Sequence, residues 1–226
     1  MQKSFLFLLL TISLQLSAQK KQLDHSVYDS WQSIGEKLIS NDGSIVVYTI
    51  NPQEGDATLV IQNSNGAKIM EVQRGYAAKI TNDGKFVVFK IKSTYQQTRE
   101  AKIKKKKADE MPKDSLAIVN VANKSIEKFA RVKSFKIAEK SSEWLAWQYE
   151  KDEKKKSENA DKKEDEGTLL VIRNLLNNKQ DSLALITEYF FDKSGKHLLV
   201  ESAANTKDSI KASVHLIDLF SWKKQR

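Results

Sequence analysis

The chain has 226 residues, no cysteine and a formal net charge of +9. The lack of cysteine excludes disulfides, thiol catalysis, a cysteine-rich metal site and a lipid-modified cysteine near the N-terminus, and the length is sufficient to bury an apolar core without them. The positive charge does not indicate nucleic-acid binding, because the basic tract Arg99–Lys107 lacks aromatic residues that stack on bases.

Residues 1–18 have the pattern of a secretory signal peptide. A short apolar run, Phe5–Leu16, follows Lys3, and small residues precede a cleavage point after Ala18. The run is shorter than the roughly 20 apolar residues that span a bilayer. A buried strand or an uncleaved anchor is the alternative. We therefore expect export to the periplasm or beyond, a mature N-terminus at Gln19 and no membrane span after signal removal.

A segment at 19–37 leads into the rest of the chain and is predicted to contain a short helix. Its apolar residues recur at helix-like spacing: Val27, Trp31, Ile34 and Leu38. We expect Trp31 to cover an apolar edge of the structure that follows.

An Asn-Asp-Gly triplet occurs twice in closely similar settings. Asn41-Asp42-Gly43 precedes the apolar run Ile45–Ile50, and Asn82-Asp83-Gly84 precedes Phe86–Ile91. Asp-Gly suits a tight hairpin, and β-branched and aromatic residues suit a buried strand. A repeated turn and strand at this spacing is typical of β-propeller blades.

Four cassettes of a turn strand and a second apolar strand follow one another. The second strands close on Asn or Asp at spacings of 57, 54 and 44 residues: Asn63, Asn120, Asn174 and Asp218. We predict an all-β fold, an incomplete β-propeller of about four blades over residues 38–226. The predicted blades are, approximately, 38–75, 76–131, 132–185 and 186–226.

The two longest spacings contain charged inserts at 93–113 and 150–166. The first includes six basic residues and one acidic residue within Arg99–Lys107, and the second has six lysines and eight carboxylates. Solvated loops are the favoured interpretation, and an anion-binding patch is the alternative. Arg99–Glu110 has the composition of a short helix.

The sequence contains no recognisable catalytic, cofactor-binding or metal site, and no cofactor is expected. No pair of glycines brackets a serine as Gly-x-Ser-x-Gly, and zinc-binding spacings are absent. His25, His197 and His215 are interpreted as packed or surface residues, since neither strand histidine lies in a loop beside a plausible nucleophile. The repeated Asp42 and Asp83 are interpreted as turn residues.

Three Asp-Ser pairs precede apolar residues: Asp114-Ser115, Asp181-Ser182 and Asp208-Ser209. Each is interpreted as a turn entering a strand. The alternative is O-glycosylation, because the pairs resemble a three-residue acceptor motif of exported Bacteroidetes proteins.

Several segments resemble the N-terminal region of exported prolyl oligopeptidase-family (S9) serine peptidases of Bacteroidetes. These segments are Leu23–Trp31, Ile39–Gly43, Tyr48–Asp56, Arg74–Tyr76, Phe86–Lys92, Thr98–Lys107 and Met111–Ile118. The resemblance covers essentially the whole mature chain and weakens across the Lys/Glu insert.

In that family, a β-propeller precedes an α/β-hydrolase domain with a Ser-Asp-His triad and screens access to it. No triad motif is present here, so the resemblance assigns no catalytic residue. It implies that this chain is the N-terminal piece of a peptidase and is inactive alone. Peptide substrates would bind through a hydrolase domain outside this chain. The alternatives are a free-standing exported binding or scaffold module and a polyanion-binding protein using Lys102–Lys107.

Overall fold

The computed structural model describes residues 27–28, 31–151, 167–205 and 210–225. The predicted signal peptide, His25, the pair Asp208-Ser209 and most of the second charged insert lie outside these residues. The strands are β1 (Gln32–Ile39), β2 (Ile45–Pro52), β3 (Thr58–Asn63), β4 (Lys68–Gln73), β5 (Gly75–Ile80), β6 (Phe86–Ile91), β7 (Ser115–Asn120), β8 (Ser125–Phe129), β9 (Val132–Ile137), β10 (Trp144–Tyr149), β11 (Thr168–Asn174), β12 (Gln180–Phe191), β13 (His197–Asn205), β14 (Ile210–Asp218) and β15 (Lys223–Gln225).

The strands form four successive antiparallel blades. Strands β1–β4 and β5–β8 make two separate four-stranded sheets, in sequence order. The remaining strands form one continuous sheet, in which the first part of β12 pairs with β11 and the second part with β13. Strand β12 is therefore both the outer strand of blade 3 and the inner strand of blade 4.

Each passage from one blade to the next has a residue with positive φ. Arg74 (φ 66°) separates β4 from β5, Arg131 (φ 60°) lies between β8 and β9, and Leu185 (φ 61°) lies within β12. Non-glycine residues seldom adopt this conformation. At Leu185 it coincides with the point where β12 changes partner from β11 to β13, which marks the third blade boundary although β12 is continuous.

The core lies between blades in three apolar clusters. We call the face of a blade that packs on the next blade its forward face and the opposite face its backward face. Each cluster combines forward residues of one blade with backward residues of the next: Val47 with Phe89, Val88 with Trp147, and Ala146 with Val200. Neighbouring residues of a strand point to opposite faces, so the central strands are apolar throughout.

These sheets confirm the predicted all-β fold class. The predicted helix across Val27–Leu38 is wrong, because Gln32–Ile39 is the first strand of blade 1. Ile34 and Leu38 are four residues apart, as on one face of a helix, but the bulge between Ile34 and Lys37 puts them on opposite faces of the strand, where they pair with Ile50 and Val47. Trp31 does not plug an edge, since it is 56% exposed and stacks edge-on against Tyr28 at 4.9 Å.

The first charged insert contains a helix, α1 (Tyr95–Ile103), and a 3-10 turn (Ala108–Glu110). The predicted helix therefore starts earlier than Arg99 and is interrupted. Its start is fixed by a capping box, in which the Thr94 hydroxyl accepts from the amide of Gln97 and the Gln97 side chain accepts from the amide of Thr94.

Candidate functional site

The Asp-Gly turns share one hydrogen-bonding scheme. In the first turn, the Ser40 hydroxyl donates to Asp42 Oδ1 at 2.5 Å and accepts from the amide of Ile45 at 2.9 Å. Thr81 and Asp83 repeat this arrangement in blade 2. In blade 4, Asp192 itself accepts from the amide of His197 at 2.9 Å. The repeated triplet therefore encodes turn geometry, as interpreted from the sequence.

Neighbouring turns contact each other from blade to blade. Asn41 Nδ2 donates to Asn82 Oδ1 at 2.6 Å, the amide of Asp83 donates to Ser142 Oγ at 2.8 Å, and the amide of Lys140 donates to the carbonyl of Lys193 at 3.0 Å. We call this arc of turns, residues 40–44, 81–85, 139–143 and 192–196, the turn ring. It fixes the relative positions of all four blades at one end.

The Asn or Asp at the end of the second strand of a cassette forms the predicted turn in blades 2 to 4. The side-chain Oδ1 atoms of Asn120, Asn174 and Asp218 each accept two backbone amides from the turn that follows. These side chains stabilise the turn into the outer strand.

The turn aspartates predict a fold whose stability falls at low pH. Hydrogen bonds from Ser40 and Ser44 lower the pKa of Asp42 to about 2. A carboxyl whose pKa is lower in the folded state contributes stability above its ordinary pKa and loses it as pH falls. We therefore expect the urea midpoint to drop between about pH 4 and about pH 2, and Asp42→Asn to flatten this drop. An equally steep drop in the variant would contradict a role for Asp42.

Polar side chains lie along the first strands of the blades, the strands that face the central channel in a propeller, and two of them link one first strand to another. Glu36 Oε2 accepts from the amide of Ala78 at 3.2 Å, and Lys136 Nζ donates to the carbonyl of Tyr189 at 2.6 Å. Desolvation lowers the pKa of Lys136; Glu188 opposes this shift and Lys79 adds to it. We call Glu36, Lys79, Lys136 and Glu188 the axial charges.

The strand histidines lie on blade 4. His197 is 3.9 Å from carboxylate oxygens of both Asp192 and Asp218. His215 Nε2 is 3.1 Å from Ser213 Oγ, which is 2.8 Å from Ser202 Oγ. Sequence reasoning missed this serine contact because it did not use the alternation that places residues two apart on one strand face. A strand-face Ser-His contact lacks the strained turn that presents a nucleophile.

A groove of about 350 Å³ lies between blades 2 and 3 beside the turn ring. Its lining residues include Lys85, Asn120, Asn123, Ser125, Glu127 and Leu176. Glu127 is held by a bidentate pair from Arg173, at 2.7 and 2.9 Å, and Lys85 pairs with Asp83 at 3.1 Å. The groove therefore presents amide, hydroxyl and charged side chains as contacts for a bound molecule.

Two of the Asp-Ser pairs fall within the described residues and differ in environment. Asp114 accepts from the Tyr76 hydroxyl and lies 3.1 Å from Lys90 Nζ, so its carboxylate is part of a packed cluster. Burial and this carboxylate raise the pKa of Tyr76. Asp181 and Ser182 are exposed, and Asp181 Oδ1 accepts the Ser182 amide at 2.8 Å.

The first insert is anchored to blade 1 by polar contacts. The Tyr95 hydroxyl donates to Glu54, and the Tyr95 amide donates to Asp56 Oδ1 at 2.8 Å. The lysines of Lys104–Lys107 are exposed at the far end of the insert. Within the described residues, no group of three His, Cys, Asp or Glu is placed to hold a metal ion, and no helix has the length and apolarity to cross a membrane.

The blades match solved structures over most of the chain. The β-propeller domain of the Trilobed protease from Pyrococcus furiosus aligns with a TM-score of 0.53 at 12% identity, covering 88% of this chain and 57% of that one. The fold is that of a β-propeller. Acylaminoacyl peptidase from Pyrococcus horikoshii aligns with a TM-score of 0.51 at 10% identity, covering 91% of this chain and 34% of that one. A prolyl endopeptidase structure aligns with a TM-score of 0.50 at 12% identity, covering 88% and 30%.

These structural neighbours include β-propeller regions of S9-family peptidases. The chain spans between 30% and 57% of their length. It matches no protein-family profile and no curated protein sequence. At these identities the likeness shows the fold alone, because one fold hosts many functions.

Proposed function

We propose that this chain is the N-terminal propeller portion of an exported serine peptidase of the prolyl oligopeptidase family. In this proposal, it limits access of peptides to a hydrolase domain elsewhere in the protein. The observation that carries the proposal is the blade architecture shared with propellers of S9-family peptidases. The segments that resemble this family add support, since they lie along the first two blades and their insert.

The axial charges suggest how the propeller would select its substrates. Charged side chains nearest the shared axis attract water and disfavour passage of apolar chain segments. The hydrogen bond from the Ala78 amide to Glu36 links β1 to β5, and the one from Lys136 to the Tyr189 carbonyl links β9 to β12. A rigid inner wall admits short, extended peptides and excludes folded proteins by size.

The first test of this proposal is the reading frame of the gene. We expect a continuous frame to encode a Gly-x-Ser-x-Gly motif followed by Asp and His, in the order of α/β-hydrolases. The corresponding protein should cleave short fluorogenic peptides and leave folded proteins intact. The purified 226-residue chain should cleave neither. A frame with no such motif would remove the link to a peptidase and favour a free-standing binding or scaffold module.

Export is tested separately from catalysis. Mass spectrometry of the protein expressed in its host should give a mature N-terminus at Gln19, in the periplasmic or external fraction. Replacing Ala18 with a bulky charged residue should leave the precursor uncleaved, because signal cleavage needs a small residue at this position. An intact Met1 terminus in the cytoplasmic fraction would contradict export without affecting the proposed fold relationship.

A further inference from the structure

The groove between blades 2 and 3 has apolar as well as polar lining residues. Phe86, Ile118 and Leu175 are nearly buried, whereas Leu176 beside them is 51% exposed. Phe86 and Ile118 belong to the forward face of blade 2, and the two leucines belong to the turn that follows β11 in blade 3. The groove therefore forms at an internal blade boundary and has an uncovered apolar wall.

Three asparagines of the lining have their side-chain oxygens engaged. The Oδ1 atoms of Asn120 and Asn123 accept backbone amides of the turn after β7, at 2.9 to 3.3 Å. Asn178 Oδ1 accepts from Arg173 Nη2 at 2.7 Å. Backbone amides and guanidinium groups only donate, so these contacts decide which side-chain atom is the oxygen. The other atom, Nδ2, is a donor in all three residues, and no acceptor among the described residues engages it.

The strongest acceptor of the groove is also engaged. Arg173 donates to both carboxylate oxygens of Glu127, at 2.7 and 2.9 Å, and these hydrogen bonds lower the pKa of Glu127. Lys85 is the other charged residue of the lining. Its ammonium lies 3.1 Å from Asp83 Oδ2 and has three N–H groups, so it can donate to a second acceptor. The groove therefore has a surplus of hydrogen-bond donors.

Donors beside an apolar wall favour a ligand that accepts hydrogen bonds and has an apolar group. A carboxylate accepts at two oxygens without donating, and its hydrogen bond with Lys85 would be charge-assisted. Sugar hydroxyls suit the groove less well, because they also donate and the side-chain acceptors are engaged. A branched apolar group would cover the exposed part of Leu176. The volume of about 350 Å³ lies at the lower end of small-molecule sites.

We infer that this groove binds the carboxylate of a small apolar ligand, as at the C-terminus of a peptide that ends in leucine. The carboxylate accepts from Lys85 and from the Nδ2 groups of the three asparagines, and the apolar side chain lies on Leu176. Free branched-chain acids have the same chemistry, so the test includes one. The inference concerns the groove alone and does not rest on the proposed peptidase function.

An NMR titration of the 226-residue chain with acetyl-Gly-Gly-Leu tests this site, because asparagine side-chain amides give their own signals. The signals of Asn120, Asn123 and Asn178 should shift, with a Kd of about 1 mM or lower. The same peptide with a C-terminal amide should bind at least about tenfold more weakly, since a donor replaces an anionic oxygen. Equal affinity of the two peptides, or no shift at about 10 mM peptide, would overturn the inference.

Titration with 4-methylpentanoate identifies the source of the carboxylate. This acid has the branched apolar group and the carboxylate of the peptide but no peptide bond. Binding as tight as that of the peptide would assign the groove to small acids. Weaker binding at the same asparagine signals would assign it to peptide C-termini, with further contacts to the peptide backbone. Both results keep the inferred carboxylate site.

Asn120→Asp replaces the Nδ2 donor with an anionic oxygen and keeps Oδ1. The turn should persist, because Asp218 at the equivalent position of blade 4 accepts two backbone amides in the same way. Repulsion of the ligand carboxylate should weaken binding at least about tenfold. Asn63→Asp, at the equivalent strand position of blade 1 and outside the groove, is the matched control and should bind as the original chain does. Unchanged binding by Asn120→Asp, or equal losses in both variants, would contradict the site.

Leu176→Ala tests the apolar contact separately. It should weaken binding of the leucine peptide about fivefold, because less apolar surface is covered. Acetyl-Gly-Gly-Gly has no side chain to lie on this wall, so its weaker binding should be the same in the variant and the original chain. Equal losses for the two peptides, or none for the leucine peptide, would overturn the apolar part of the inference.

Discussion

Replacing Trp147 with alanine should lower the free energy of unfolding by about 3–5 kcal/mol, the usual cost of deleting a buried aromatic side chain. Trp147 is fully buried in the cluster between blades 2 and 3, with its ring 4.8 Å from that of Phe129. A cavity there removes the largest fully buried side chain from the apolar cluster that joins these two blades. Because single domains are stable by only about 5–15 kcal/mol, urea denaturation should show a large shift of the midpoint.

Trp147→Phe is the matched control for this prediction. Within the described residues, Nε1 of Trp147 is buried without a hydrogen-bond partner. Phenylalanine removes this unpaired donor while keeping most of the apolar volume, so its cost should stay below about 1.5 kcal/mol. Equal losses for alanine and phenylalanine would show that the indole nitrogen has a partner, and that packing does not dominate at this position.

Replacing Gly195 with alanine should destabilise the protein more than the same change at Gly43. Both glycines have left-handed backbone angles, φ 73° and φ 72°, and each alanine costs about 1–2 kcal/mol for this reason. At Gly195, the added Cβ would also lie 2.5 Å from Ser141 Cβ and 2.7 Å from Ala138 Cβ. Such overpacking adds about 1–3 kcal/mol.

The difference in stability between the Gly195→Ala and Gly43→Ala variants measures the contact between neighbouring turns. A Cβ at Gly43 has no heavy atom within 4 Å, so Gly43→Ala reports backbone strain alone. Gly84→Ala, with φ 71° and its nearest contact at 3.6 Å, should behave as Gly43→Ala does. Equal urea midpoints for the Gly195 and Gly43 variants would contradict the close approach of turns in blades 3 and 4.

The repeats allowed much of the architecture to be predicted, whereas elements outside the repeat were predicted poorly. Ile45–Ile50 and Phe86–Ile91 lie in strands because local alternation and turn chemistry agree with the final fold. Gln32–Ile39 was predicted as helical because Ile34 and Leu38 are four residues apart, and only the pairing with β2 places them on opposite faces of a strand. No candidate site was predicted, because no catalytic or metal-binding motif was recognised in the sequence. The contact between Ser213 and His215 became visible only once the strands were paired.

The sequence by itself determined the turns, the central strands and their order, since these depend on residues close together in the chain. Asp42 with Ser40, and Thr94 with Gln97, are local contacts of this kind. Only the tertiary structure decided which apolar rows are covered. Leu116 and Val214 occupy equivalent strand positions, yet one is buried and the other exposed, because burial depends on whether another blade lies against the face.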